Sequence, residues 1–288
     1  MENKIGIYYA YWEQNWDADF LPYVQRVADL GFDVLEINAG TVNEMSREQR
    51  QRLRAAAADR GLELTMCIGL TADRDPASPD TSVRRNGVEF LKSTAGNMVQ
   101  LGVKQLSGII YGAWPGTLPD GEHKQDYVQR SLDSMTDAIR TAENEGVFFN
   151  VEVVNRFEQF IMNTSAEAVS YVERVGSPNL KILLDSFHLN IEEDSIGDAI
   201  RYASYHLGHL HVGENNRRPP GYGHMPWQEM AKALQDIAFE GHIVMEPFLV
   251  PGGEVGRDIR VFRDLRGDMD LDSQAAEALR FMHSLLER

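Results

Sequence analysis

Four consecutive strand-like segments of this sequence each carry one carboxylate or imidazole side chain, within or at the end of an apolar run. Such a side chain can bind a metal ion or transfer a proton. These side chains are Glu152, Asp185, His211 and Glu246. Burying an ionised group without a partner is strongly unfavourable. One such residue alone could be a helix cap, half of a surface ion pair or a packed core histidine. The repeated placement instead predicts that the four side chains converge on one site.

The donor atoms of this set are typical of a divalent-metal site. Three carboxylates and one imidazole form an oxygen-rich set, which suits Mn²⁺, Mg²⁺ or Co²⁺ better than metals that prefer thiolates. A zinc cluster of His206, His209 and His211 is the competing interpretation. In it His206 would precede the strand and His209 would lie deeper in the protein. His209 is better interpreted as a packed or hydrogen-bonded interior histidine.

Three further polar residues lie three to six positions after members of this set, the first of them on the loop after the fifth strand. They are Glu158, His188 and Arg217. Such groups suit a ligand with many hydroxyls, and the planar guanidinium of Arg217 could bond its oxygens. Glu214, Asn215 and Asn216 are interpreted only as residues that shape the turn before Arg217.

Eight short apolar, β-branched or aromatic runs are predicted to be the strands that position these residues. Their ranges are 5–9, 34–37, 62–69, 105–111, 148–154, 180–185, 209–213 and 242–246.

Helix-length amphipathic stretches separate the strands. Capping boxes at Ser46 with Gln49 and at Thr164 with Glu167 open two of them. Glycines at 31, 61, 102, 146 and 176 stand where helices are expected to end. Phe20, Val24, Val27 and Gly31 recur at helical spacing, and the remaining helices are predicted near 84–101, 125–145, 195–207, 226–239 and 271–287.

This alternation predicts an α/β fold, a single-domain (β/α)₈ TIM barrel over residues 1–288. No Gly-x-Gly-x-x-Gly motif follows the first strand, which argues against an open nucleotide-binding sheet. The longest irregular segments, 214–225 and 247–270, follow the seventh and eighth strands. In such a barrel these loops and the strand-end residues lie at the C-terminal face, so we expect the metal site there.

Composition narrows the classes of partner and location. The 288 residues include 28 basic and 44 acidic side chains, for a formal net charge of −16. A surface this acidic would repel nucleic acid, which we exclude as a partner. No apolar run approaches the roughly 20 residues needed to cross a bilayer, so no membrane partner is expected. The single cysteine, Cys67, requires no oxidising compartment, and no secretory leader is recognised, so we expect a cytoplasmic protein.

At these residues the chain resembles the D-tagatose 3-epimerase and D-psicose (D-allulose) 3-epimerase family of ketose epimerases. The matching segments extend from the first strand to the eighth, so the resemblance covers nearly the whole chain. They are YYAYWE at 8–13, EVVNRFE at 152–158, DSFHLNIEED at 185–194, GENNRR at 213–218, MPW at 225–227 and MEPF at 245–248.

The resemblance implies one divalent ion per subunit, Mn²⁺ or Co²⁺ with Mg²⁺ as an alternative, bound by the four strand-end residues. It implies that Glu158, His188 and Arg217 hold the O1 to O3 end of a free ketose. Further implied are a homodimer or homotetramer and a pocket lined by Tyr8, Cys67 and Trp114. The chain departs from common relatives mainly in the loops 70–82 and 112–124, which leaves the preferred ketose open.

Inversion of a ketose at C3 requires removal of a proton from one face and its return to the other. Glu152 and Glu246 are the expected pair of general bases on the two faces, acting through a cis-enediolate. The products would include pairs such as D-psicose and D-fructose, D-tagatose and D-sorbose, or L-ribulose and L-xylulose.

Other functions remain as alternatives. A metal-dependent aldose–ketose isomerase of the same barrel superfamily would move hydrogen between C1 and C2 instead. A metal-dependent abasic-site endonuclease would need more histidine ligands and a cationic face. A sugar-binding barrel without chemistry would not need both glutamates. A phosphorylated substrate at Gly252 and Gly253 is disfavoured because Glu254 and Asp258 follow that turn.

Overall fold

Eight parallel strands close into a barrel in the computed structural model, which describes residues 3–286. The strands pair in chain order, and the eighth pairs with the first. They are β1 Ile5–Tyr8, β2 Val34–Asn38, β3 Glu63–Cys67, β4 Gln105–Gly108, β5 Phe148–Val153, β6 Leu180–Asp185, β7 Leu207–Val212 and β8 His242–Met245.

Helices surround the barrel, so the predicted fold, a (β/α)₈ TIM barrel in one domain, is confirmed. They are α1 Leu21–Leu30, α2 Ala39–Glu44, α3 Arg47–Asp59, α4 Thr81–Leu101, α5 Lys124–Glu145, α6 Ser165–Val175, α7 Ser186–Glu192, α8 Ile196–Ala203, α9 Trp227–Asp236, α10 Gly253–Asp258 and α11 Leu271–Leu286.

Local sequence signals explain several helix boundaries. Ser46 and Gln49 form the predicted capping box at the start of α3. Thr164 accepts a hydrogen bond from the Glu167 amide at the start of α6. Gly31 ends α1 with a left-handed φ of 91°. This backbone conformation is unfavourable for most residues other than glycine.

The predicted boundaries were wrong around β7. The chain leaves α8 at Ala203, and β7 begins at Leu207, so the helix predicted over 195–207 is too long and the strand starts before His209. Residues 204–206 form one tight turn between them. The amphipathic pattern continued past the true helix end because Leu207 is buried as a strand residue instead.

Three short helices lie in segments where no helix was predicted. α2 and α7 directly continue β2 and β6, and α10 lies within the segment 247–270. Asn38 and Asp185 cap α2 and α7 with their side chains. Helices of six or seven residues are too short to show a clear periodicity.

Apolar side chains fill both the barrel interior and the layer between strands and helices. Within residues 3–286, no helix is both long and apolar enough to cross a membrane. Among the buried polar residues, Glu152, Asp185, His211 and Glu246 lie at or near the C-terminal ends of the strands, where the candidate site lies.

Candidate active site

The four predicted strand-end residues come together at the C-terminal mouth of the barrel. Glu152 lies in β5, Asp185 ends β6, His211 lies in β7 and Glu246 directly follows β8. All four are buried, and one donor atom of each lies within 4.8 Å of those of the others. This cluster of three carboxylates and an imidazole could hold a metal ion.

Strand register explains this convergence. Asp185 pairs directly with His211 across β6 and β7, and Glu152 pairs with Leu183, two residues before Asp185. Residues two apart in a strand share a face. The amide of Glu246 donates to Val212 O at 3.0 Å, which extends the ladder one residue past β8.

Arg217 lies against the acidic cluster. Its Nη1 is 3.1 Å from Asp185 Oδ2 and 3.3 Å from Glu246 Oε2. The guanidinium carbon stands 3.9 Å from the centre of the Phe187 ring, a cation–π contact. Arg217 is buried and adopts a left-handed φ of 64°. Its positive charge therefore partly offsets the carboxylates from one side of the pocket.

Burial and like charges act together on Glu152. Burial raises the pKa of this carboxyl well above its usual range, and the neighbouring charges of Glu246 and Asp185 raise it further. A raised pKa lets a carboxylate accept a proton nearer neutral pH, a property that general acid–base catalysis uses.

A second polar group lies beside the cluster. His188 Nδ1 accepts a hydrogen bond from the Asn155 amide at 3.2 Å, which places the proton on Nε2. That Nε2 faces Asp185 Oδ2 at 3.6 Å and Glu152 Oε1 at 3.8 Å. His188 thus presents a hydrogen-bond donor to the pocket.

Glu158 is held in its ionised form on the opposite side of His188. Its two oxygens accept from Asn155 Nδ2 at 3.0 Å and from Trp114 Nε1 at 2.9 Å. Burial alone would raise the pKa of Glu158, but the neighbouring His188, the charge of Arg217 and these hydrogen bonds lower it. The side chain is therefore a fixed acceptor in the pocket wall.

A pocket of about 350 Å³ opens over these groups. Burial raises the pKa of Tyr8 and of the Cys67 thiol, so both line the pocket uncharged. Asp185 and His211 lie just behind the wall. The predicted residues that line it are Tyr8, Cys67, Trp114, Glu152, Glu158, His188, Arg217 and Glu246.

The loops that follow β3, β4 and β5 are bonded in series along one wall of this pocket. Trp114 N donates to Leu70 O at 2.7 Å, and Gly116 N donates to Glu158 O at 2.8 Å. Gln159 Nε2 also donates to Ala113 O at 2.7 Å. The segments 70–82 and 112–124 are thus connected to the polar groups of the site.

Sequence reasoning missed several residues of the pocket. Trp16, Arg74 and Phe248 line it, and their positions depend on loop geometry that no local pattern shows. Glu36 was also missed, although it interrupts the apolar strand β2 as Glu152 interrupts β5. Glu36 is fully buried, and its Oε1 lies 2.6 Å from His211 Nε2.

The alternative zinc cluster is not formed. His206 precedes β7 and lies 3.5 Å from Glu173, whereas His211 lies near the other end of that strand. His209 is a fully buried interior histidine beside Glu36, as predicted. Glu214 shapes its loop, because its carboxylate accepts from the amides of Gly221 and Met225.

Comparison with known proteins agrees with this architecture. Residues 24–283 match the family model described as a xylose isomerase-like TIM barrel. The chain is thus a barrel of the xylose isomerase-like class.

Named relatives define the family more narrowly. The chain is 44% identical to a D-psicose 3-epimerase of Ruminiclostridium cellulolyticum, over 99% of this chain and 98% of the relative. It is 43% identical to a D-psicose 3-epimerase of Agrobacterium fabrum, over 98% and 99%. A crystal structure of D-psicose 3-epimerase with D-tagatose from Clostridium cellulolyticum H10 superposes with a TM-score of 0.96 at 44% identity, over 98% and 99% of the two chains. The chain belongs to the D-tagatose and D-psicose 3-epimerase family of ketose 3-epimerases, which are carbohydrate epimerases of the isomerase class, as its motifs predicted.

Proposed function

We propose that this chain is a metal-dependent epimerase that inverts C3 of free ketohexoses or ketopentoses. The main support is the buried cluster of Glu152, Asp185, His211 and Glu246, which lies beside a pocket with fixed polar groups. Family membership supports a ketose as the substrate, since the relatives are named for D-psicose and one was crystallised with D-tagatose.

The donor set fits a divalent cation. Among residues 3–286, His211 Nδ1 is buried without a hydrogen-bond partner and lies 3.6 Å from Glu246 Oε2. An unpaired imidazole nitrogen that faces clustered carboxylates is suited to a metal. Glu152, Asp185, His211 and Glu246 would hold the ion at the C-terminal face of one barrel domain spanning residues 1–288. Mn²⁺ or Co²⁺ is the proposed ion, with Mg²⁺ as an alternative.

A bound ion would polarise the C2 carbonyl and offset the charge of the enediolate, a Lewis-acid effect of several kcal/mol. Glu152 and Glu246 reach the site from strands on different sides of the mouth. One removes the proton from C3, and the other delivers a proton to the opposite face. The roles exchange in the reverse reaction, and each base contributes about 10²- to 10⁴-fold.

The remaining polar groups orient the sugar. His188 Nε2–H and the Arg217 guanidinium are donors, and the Glu158 carboxylate is an acceptor. Together they would bind the O1 to O3 end of the ketose. Tyr8, Cys67 and Trp114 would contact the sugar through the less polar wall.

The test is incubation of Mn²⁺-loaded protein with a panel of free ketoses in D₂O, followed by chromatography and proton NMR. A new ketose that carries deuterium at C3 is the expected product. An aldose product, with or without deuterium, would instead identify the alternative activity, an aldose–ketose isomerase. Absence of any turnover across the panel would contradict both assignments.

The proposal includes a homodimer or homotetramer. Phe157 and Phe262 are 67% and 81% exposed, and both lie on loops that follow strands, so they share one end of the barrel. Large exposed apolar side chains favour association. Light scattering after size-exclusion chromatography would test it, and a monomer at micromolar concentration would contradict it.

The cytoplasmic location stays a prediction, which imaging of a tagged chain would test.

A further inference from the structure

Glu36 is a fully buried carboxylate with no role in the site as described so far. It lies in the middle of β2, between the apolar residues Leu35 and Ile37. Burying a carboxylate in a barrel interior is costly unless it is paired and hydrogen-bonded. Its partners therefore identify what the residue does.

One oxygen of Glu36 contacts a proposed metal ligand. Glu36 Oε1 lies 2.6 Å from His211 Nε2, although the two residues are 175 positions apart. The other ring nitrogen, Nδ1, faces the carboxylate cluster. The imidazole thus stands between Glu36 on one side and the proposed metal ligands on the other.

The second oxygen of Glu36 is held independently of His211. Thr65 Oγ1 donates to Glu36 Oε2 at 2.8 Å, and His209 Nε2 lies 3.1 Å from the same oxygen. Thr65 is the register partner of Glu36 on the neighbouring strand β3. Thr65 therefore holds the carboxylate by a hydrogen bond that does not involve His211.

We propose that Glu36 is a positioning residue that fixes the tautomer and the ring orientation of His211. A neutral imidazole carries one proton, and an acceptor at Nε2 keeps that proton there, which leaves the Nδ1 lone pair directed at the cluster. A carboxylate behind a metal-bound histidine also makes the ring a better ligand. The inference rests on the proposed function, since it concerns the metal site proposed above.

A different role for Glu36 is possible on geometry alone. Glu36, Cys67 and His211 also offer donor atoms within 4.8 Å of one another. A metal held there would occupy His211 Nε2 and displace the contact with Glu36 Oε1. It would also move the ring proton to Nδ1, towards Glu246. The hydrogen-bonded arrangement favours the positioning role instead.

The first measurement needs no variant. In Mg²⁺-saturated protein labelled with ¹⁵N-histidine, long-range ¹H–¹⁵N NMR spectra should show His211 protonated at Nε2 and not at Nδ1. Protonation at Nδ1 would overturn the proposal.

The second measurement compares variants by titration with Mn²⁺, followed by electron paramagnetic resonance. Glu36→Gln should weaken Mn²⁺ binding about 10- to 100-fold. Saturating Mn²⁺ should restore most of kcat, and KM for the ketose should stay near the wild-type value. Thr65→Val is the matched control, since it removes a neighbour of Glu36 without touching His211, and it should change Mn²⁺ affinity less than Glu36→Gln.

The outcomes separate this inference from the proposed function. A wild-type chain that binds no Mn²⁺ would contradict the proposed metal site itself. A folded Glu36→Gln variant with wild-type Mn²⁺ affinity would overturn only the role of Glu36. A thiolate-to-cobalt charge-transfer band in the Co²⁺ form, lost in Cys67→Ser, would assign the metal to the alternative cluster and also overturn that role.

Discussion

The two ends of the barrel use charged side chains in opposite ways. At the C-terminal mouth, Glu152, Asp185 and Glu246 carry the same charge when ionised and are buried close together. At the N-terminal floor, Glu63 forms an ion pair with Lys4, and its Oε2 lies 2.9 Å from His242 Nε2. The floor thus pairs opposite charges, whereas the mouth gathers like charges.

This difference shows what distinguishes a functional site from a structural one. Both floor carboxylates have partners, since Asp33, like Glu63, accepts a hydrogen bond, in its case from the Ile5 amide at 3.0 Å. At the mouth, Arg217 is one cation against three carboxylates. A surplus of buried like charge is stable only with a counterion, so the mouth is the end that would attract a divalent cation.

The largest effect is expected from Glu246→Gln, which removes one carboxylate charge at the mouth and nearly preserves the shape of the side chain. We expect turnover and exchange of the C3 hydrogen with solvent deuterium to fall about 10²- to 10⁴-fold, because one general base is lost. Proton NMR in D₂O measures both, and circular dichroism checks the fold. Glu63→Gln is the matched change at the floor and should leave turnover unchanged. Near-wild-type turnover of Glu246→Gln would remove this residue from the mechanism.

Metal binding at the mouth should increase the free energy of unfolding of the protein, whereas the paired charges of the floor need no added ion. After treatment with a chelator, added Mn²⁺ should stabilise the wild type by about 2.7 kcal/mol at 100 times its Kd, because the ion binds only the folded mouth. Thermal unfolding followed by fluorescence measures the shift in Tm. Asp185→Asn should reduce the shift markedly. An unchanged wild-type Tm would argue against a cation at the mouth.

Substitution of Arg217, the cation at the mouth, tests whether this residue binds the sugar or supports the metal site. Arg217→Ala should lower kcat/KM about 10- to 100-fold, the effect of losing a charged hydrogen bond of about 1.5–3 kcal/mol. Elemental analysis should find the metal retained. Loss of the ion would show that Arg217 supports the metal site and not the substrate.

The smallest effect is expected at the floor. Burial would raise the pKa of Glu63, but hydrogen bonds from Lys4 and His242 outweigh it and hold that pKa below its usual value. The resulting stabilisation is present above the unfolded pKa of about 4.3 and is lost as the pH falls through the lower folded value. Glu63→Gln should therefore cost about 1 kcal/mol or less at pH 7.

Urea unfolding at pH 7 and pH 4 measures this difference. The gap between wild type and Glu63→Gln should narrow at the lower pH. A gap that widens on acidification would contradict the paired arrangement of the floor.

The barrel was predictable because its repeat is local. Each strand is a short apolar run and several helices have their own caps, so Ser46 and Thr164 could be identified without any knowledge of distant contacts. The short helix α7 was not predictable, because Asp185 both ends β6 and caps that helix through the Phe187 amide. One residue there serves two elements.

A site residue was predictable only where its place within or at the end of an apolar strand marks it as unusual. Glu152 and Glu246 stand out because they interrupt or end apolar strands. Glu36 carries the same signal, but its meaning depends on a contact with His211 across the barrel. Trp16 and Phe248 reach the pocket through loops, whose paths depend on packing rather than on periodicity.

The serial bonding of Leu70, Trp114 and Glu158 has a consequence for how substrate preference can evolve. A change in the loop after β3 moves the backbone partner of Trp114, whose indole holds Glu158. Substitutions in contact through one network are not additive in their effects. Libraries that vary one loop at a time will therefore miss combinations that work, and neighbouring loops should be randomised together.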